Sequence, residues 1–188
     1  IDGDNVNPTN INRQLIAMHS TVGKPKTQIL AQRLLDINPR LNIHIKQLYM
    51  DEVQTEILLD EAKYDYVIDA IDTISPKIAL LTGCLKRKIK VISSMGAGGR
   101  IDPTRIAYAD ISETYHCALA KAVRKRLKDT GISKGIKVVF SSEQPDRNAI
   151  IRTDEERNKK STVGTISYLP AIFGCYLAAY VIRKLSQK

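Results

Sequence analysis

Residues suited to binding phosphate gather near the start of this 188-residue chain. Asp2 comes first, then Thr9-Asn10-Ile11-Asn12-Arg13-Gln14, then Val22-Gly23-Lys24-Pro25-Lys26. Arg13 offers a planar fork of donors that matches phosphate oxygens. Lys24 and Lys26 open a helical stretch, where the partial positive charge of the helix end makes cations mildly unfavourable. A bound anion relieves that conflict and uses the free backbone N–H groups of the first turn. A solvated lysine pair is the plain alternative, and the company of Arg13 favours the anion. Asp2 ends what reads as the tail of a strand, where a carboxylate can accept from ribose hydroxyls. Taken alone, it reads as a turn residue.

A second group follows the apolar run Tyr66-Val67-Ile68. Asp69-Ala70-Ile71-Asp72-Thr73 falls at the carboxyl end of a buried strand, where open α/β sheets bind ligands. Asp69 reads equally well as a turn or helix-capping carboxylate. Gly96-Ala97-Gly98-Gly99 has the look of a nucleotide loop, but such a loop opens a helix after the first strand. This one runs into Arg100-Ile101-Asp102-Pro103, a turn, so its expected use is close backbone approach. Further on, Lys121, Arg124, Lys125 and Lys128 share one helical face, with Leu119, Val123 and Leu127 nearly opposite. The apolar side packs on a core. The basic side is either solvated or in contact with nucleic acid.

The elements that must hold these residues alternate. Helices are expected over 24–37, 51–62 and 75–88, the last with Ser75 as its cap and Pro76 after it. Strands are expected over 43–48, 64–69 and 89–94, and this rhythm argues for a parallel sheet covered by helices. Beyond it, 105–109 and 136–141 read as strands, 115–128 as a helix, and 165–187 as one closing helix or two. The polar stretch 142–162 reads as a long surface loop. An α/β nucleotide fold carries a strand, a glycine turn and a helix ahead of a carboxylate like Asp2. The chain opens after that unit, so it is read as one nucleotide-binding domain over 1–188, incomplete at its N-terminus.

Together these strings resemble the ThiF/MoeB-like superfamily of ATP-using adenylating enzymes. That superfamily carries an acidic residue, then Ser/Thr-Asn-x-x-Arg-Gln, then Val-Gly-x-x-Lys. Met95-Gly96-Ala97-Gly98-Gly99-Arg100-Ile101-Asp102-Pro103-Thr104 and Val139-Phe140-Ser141-Ser142-Glu143 are similar to the tRNA threonylcarbamoyladenosine dehydratase branch. The resemblance implies a Rossmann-like, doubly wound mixed sheet. It implies that Asp2 contacts ribose, and that Asn10, Arg13 and Lys26 contact phosphate. Asp72 becomes the magnesium–ATP aspartate, with Thr73 and Lys77 also on the nucleotide; Arg13 and Asp72 are the residues expected to carry catalysis. The implied reaction uses ATP to adenylate the carboxylate of threonylcarbamoyl-adenosine in tRNA, after which an internal nitrogen closes a ring with loss of water. ATP and magnesium are the expected cofactors. The expected partners are tRNA, held by Lys121, Arg124, Lys125 and Lys128, and a second copy in a homodimer. A sulfur-transfer or other protein partner is a further expectation.

Composition narrows the field. The net charge of +9 fits a polyanionic partner without requiring one. No apolar run reaches the roughly 18 residues of a membrane span, and the opening residues do not read as a signal peptide. Three cysteines, Cys84, Cys117 and Cys175, form no Cys-x-x-Cys pair, which argues against structural zinc and for a reducing, cytoplasmic setting. Cys84 and Cys175 lie in apolar helices and read as buried, inert thiols. One rival reading is an adenylyltransferase for a ubiquitin-like or sulfur-carrier protein. It is weakened by the absence of zinc ligands and of a cysteine within 142–162. The other is a non-catalytic RNA- or partner-binding relic, which has no need for Asp2, Arg13, Lys26 and Asp72.

Overall fold

A computed structural model describes residues 1–152 and 161–187. The chain divides into two compact units, Ile1–Met50 and Asp51–Lys188.

The first unit holds one long helix, α1 (Lys26–Ile37), with Thr27 and Ala31 on its buried side. It starts at Lys26 rather than at 24, with Pro25 in the cap position, and the chain leaves it at Asn38-Pro39. Residues Asp4 to Val6 run against Gly23 to Lys26. The Val6 N–H donates to the Lys24 carbonyl, and the Gly23 N–H donates to the Val6 carbonyl, both at 2.8 Å. The strand expected over 43–48 does not form. The Asp2 N–H donates to the Lys46 carbonyl at 3.2 Å, but no strand ladder forms there among the described residues.

The second unit is built on a four-stranded sheet. Its strands are β1 (Val67–Asp69), β2 (Val91–Ser94), β3 (Ile106–Asp110) and β4 (Lys137–Ser141), in the order β1-β2-β4-β3. The β1, β2 and β4 strands are parallel, and β3 runs antiparallel to β4. Successive side chains on a strand face opposite sides, and here both sides are buried. Val91, Val138 and Phe140 pack with Leu80, Leu81 and Cys84 of α3 (Ile74–Lys86) and Ala120, Val123 and Leu127 of α4 (Ala118–Asp129). Ile92, Val139 and Ile106 pack on the other side with Leu169, Phe173 and Leu177 of α5 (Tyr168–Ser186). The sheet is therefore covered on both faces, as the mixed α/β reading requires. A further helix, α2 (Glu52–Glu61), packs beside α3, where Arg87 binds Glu56 and Asp60.

Several details differ from the sequence reading. Thr73, not Ser75, takes the cap position of α3, and its side chain makes no capping bond. Pro76 falls in the first turn, where a missing N–H costs no helical bond. The basic helix starts at Ala118 rather than at 115, because Cys117 caps it: the Ala120 N–H donates to its Sγ at 3.4 Å. Within the stretch expected as a loop over 142–162, β5 (Ile150–Arg152) and β6 (Ser161–Val163) pair antiparallel. Residues 153–160 of that stretch lie outside the described residues. The closing helix is single and buries one side only, so Cys175 is exposed while Cys84 and Cys117 are buried. Among the described residues no helix is long and apolar enough to cross a membrane.

Candidate functional site

In the first unit the expected phosphate residues sit on a knot of turns. Asn7 caps a single 3-10 turn, Pro8–Asn10, and the buried Asn10 returns its Oδ1 to the Asn7 N–H at 3.0 Å. The Asn10 carbonyl oxygen is thus committed to shaping the loop. Arg13 is half-buried, and its Nη1 donates to the Thr9 carbonyl at 2.6 Å and to Asn12 Oδ1 at 3.0 Å. These bonds fix the fork against its own loop. Lys26 pairs with Asp4 at 2.9 Å, its side chain 11% exposed and that of Asp4 50%. Asp2 Oδ1 accepts the Asp4 N–H at 2.9 Å, so the two carboxylates share one turn. Sequence reasoning passed over Asp4, although the run Asp2-Gly3-Asp4 carried the signal. Beside Lys26, the Thr27 hydroxyl is buried with no hydrogen-bond partner among the described residues.

In the second unit Asp69 and Asp72 part company. Asp72 is exposed on the short loop between β1 and α3. Asp69 is fully buried, its Oδ2 accepting from Lys77 Nζ and from Ser93 Oγ, each at 2.5 Å, and its Oδ1 accepting the Ile71 N–H at 2.9 Å. Lys77 was expected to reach phosphate; in the structure it is fully buried. Its ammonium spends its donors on Asp69, on Ser93 Oγ at 3.1 Å and on the Ser94 carbonyl at 3.0 Å. Burial pushes the Lys77 ammonium below the usual lysine range, opposed by the charge of Asp69 and, through space, of Asp72. Thr73 opens α3 next to Asp72. A hard, exposed carboxylate at the carboxyl end of a parallel strand suits magnesium, which takes one or two carboxylates and otherwise water and phosphate.

Beyond β2 comes the glycine run. A side chain at Gly98 would meet Val163 at 2.9 Å, and Gly99 adopts φ +72. The Gly99 N–H donates to the Gly164 carbonyl at 2.8 Å. Glycine at 98 leaves room for the Val163 side chain of β6, and the positive φ at 99 favours glycine. Arg100, missed in the sequence, is buried and holds four carbonyls, those of Gly96, Gly98, His116 and Glu143. The Glu143 carboxylate caps the Ile101 and Asp102 N–H groups. His116 and Glu143 lie far from Arg100 in sequence, and no local spacing announces them. On α4, Lys121, Lys125 and Lys128 are exposed, and Ala120, Val123 and Leu127 are buried. Arg124 is half-buried and turns back to donate to the Thr114 carbonyl at 2.8 Å and to the Thr114 hydroxyl. Three lysines thus form the outward basic face.

The ThiF family profile matches residues 1–188. A tRNA threonylcarbamoyladenosine dehydratase of Bacillus subtilis is 41% identical over 192 residues, covering 98% of this chain and 75% of the relative. One from Haemophilus influenzae is 37% identical, covering all of this chain and 76% of the relative. The crystal structure of the Escherichia coli tRNA N6-threonylcarbamoyladenosine dehydratase in complex with ATP superposes with a TM-score of 0.88 at 32% identity. It covers 99% of this chain and 74% of that one.

Proposed function

We propose that this chain, which belongs to the ThiF family, catalyses ATP-dependent dehydration of threonylcarbamoyl-adenosine in tRNA. The observation that carries the reading is the whole-chain likeness to the ATP-bound Escherichia coli dehydratase, at 32% identity and a TM-score of 0.88. The substrate carboxylate takes the adenylyl group of ATP with release of pyrophosphate, and the internal nitrogen then closes the ring on the activated carbonyl with release of AMP and a proton. The chain's own residues position and neutralise charge. Asp2 takes the ribose, and Arg13 and Lys26 the phosphates, with Asn10 shaping their loop. Asp72 holds magnesium, with Thr73 beside it. Lys121, Lys125 and Lys128 follow the tRNA backbone, and Arg124 supports the start of their helix. The protein acts as a homodimer in the cytoplasm.

The test is nucleotide turnover by the full-length protein with magnesium. AMP release is expected only with tRNA carrying threonylcarbamoyl-adenosine, and not with unmodified tRNA. Turnover that instead follows a carrier protein with a free C-terminal carboxylate supports the adenylyltransferase reading and overturns this one. No turnover with either supports the relic. Arg13→Ala and Asp72→Ala are each expected to weaken magnesium–ATP binding in isothermal titration, and wild-type affinity in both removes these site assignments.

A further inference from the structure

Asp72 sits near the apex of a loop whose two feet are fastened to each other. One foot is Asp69, the last residue of β1, and the other is the first turn of α3, which carries Lys77. Their side chains meet at 2.5 Å, both at 0% exposure. Inside this ring the Asp69 Oδ1 also accepts the Ile71 N–H, so residues 69–71 are folded back next to Asp72. Lys77 and Ser93 extend the fastening to the end of β2, where the Ser94 carbonyl accepts from the same ammonium. Ser94 leads through Met95 directly to the glycine run at 96–99. The fastened segments thus meet at the carboxyl ends of adjacent parallel strands.

We infer that the buried Asp69–Lys77–Ser93 cluster is a positioning device that holds Asp72 in place to receive a metal–phosphate group, Lys77 acting through the loop rather than on the ligand. A buried ion pair is weak evidence for a role in stability, because apolar side chains of similar volume often replace one at no loss. What apolar side chains cannot supply is directed bonds to the Ile71 loop and to the Ser94 carbonyl. Groups behind a metal ligand set its orientation. The inference rests on the proposed magnesium role of Asp72, and its test separates the two.

The experiment measures binding of ATP, with magnesium and with EDTA, by titration calorimetry on the full-length protein. The variants are Asp69→Leu with Lys77→Met, Asp72→Asn, and all three together; urea unfolding is followed in parallel. The apolar pair is expected to leave the unfolding midpoint near wild type. It is expected to weaken magnesium–ATP binding about 10-fold or more, with little change for ATP in EDTA. Adding Asp72→Asn to it should then cost far less than Asp72→Asn costs alone, because the two changes act through one carboxylate. If the apolar pair does not fold, Ser93→Ala replaces it, keeping the ion pair and removing the bridging hydroxyl, with the same loss of additivity. Full magnesium–ATP affinity in the folded variant, or strictly additive losses, overturns the inference. So does an Asp72→Asn protein that binds magnesium–ATP as wild type. Wild-type protein that binds magnesium–ATP but leaves tRNA unchanged defeats the proposed reaction and leaves the positioning role standing.

Discussion

Two lysine–aspartate pairs in this chain have the same chemistry and opposite surroundings. Lys26 and Asp4 meet at 2.9 Å with Asp4 half in water, whereas Lys77 and Asp69 meet at 2.5 Å with neither in water. Lys26 is largely covered, but a carboxylate half in water can be left to solvent when its ammonium turns to a phosphate. A buried ammonium cannot leave its partner without stranding a charge. The family resemblance placed both lysines on the nucleotide. Their burial separates a residue suited to bind from one suited to hold another residue still.

Breaking the buried pair on one side should have the largest effect. Lys77→Met strands the Asp69 carboxylate and is expected to destabilise the protein by about 3–5 kcal/mol in urea unfolding, while adding Asp69→Leu recovers most of that. Lys26→Ala should lower stability by about 1 kcal/mol or less yet weaken ATP binding clearly in calorimetry. Equal stability losses for the two lysines would erase the contrast.

The contrast extends to the basic helix. Lys121, Lys125 and Lys128 are exposed, so changing all three to Glu should leave thermal unfolding nearly unchanged. It should also weaken tRNA binding and flatten the salt dependence of that binding, since fewer counterions are released. Including Arg124→Glu is expected to add a stability cost, because Arg124 holds Thr114. The smallest effect belongs to the thiols. Burial pushes the Cys84 thiol up to about 11, so a thiol reagent near neutral pH should label exposed Cys175 and spare Cys84 in the folded protein. Replacing all three cysteines by Ser or Ala should leave dehydration largely intact if the protein folds.

Much of this was legible before the structure, and the reasons are physical. Helices α1, α3 and α4 and the parallel strands announced themselves through apolar periodicity and proline punctuation, which are local signals. The magnesium role proposed for Asp72 came from the family resemblance; position after a buried strand did not separate it from Asp69, which is bonded to Lys77 and Ser93. The burial of Lys77 was not legible, because it depends on Ser93 and Ser94, 16 and 17 residues away along the chain. Arg100 was hidden for the same reason: its carbonyl partners at His116 and Glu143 are joined only by the folded sheet. The exposure of Cys175 was hidden because α5 is apolar all round, so composition did not tell its buried side from its open one. The strand expected over 43–48 failed because alternation describes a surface for pairing and does not supply a partner.

The central claim is the chemistry on tRNA, and the mass of the modified nucleoside tests it most directly. Full-length protein is incubated with ATP, magnesium and tRNA bearing threonylcarbamoyl-adenosine, and the tRNA is then digested to nucleosides under mild conditions. The threonylcarbamoyl-adenosine peak is expected to convert to one lighter by a single water, in an ATP-dependent manner that Asp72→Asn suppresses. A nucleoside of unchanged mass, from protein shown to bind magnesium–ATP, would contradict it.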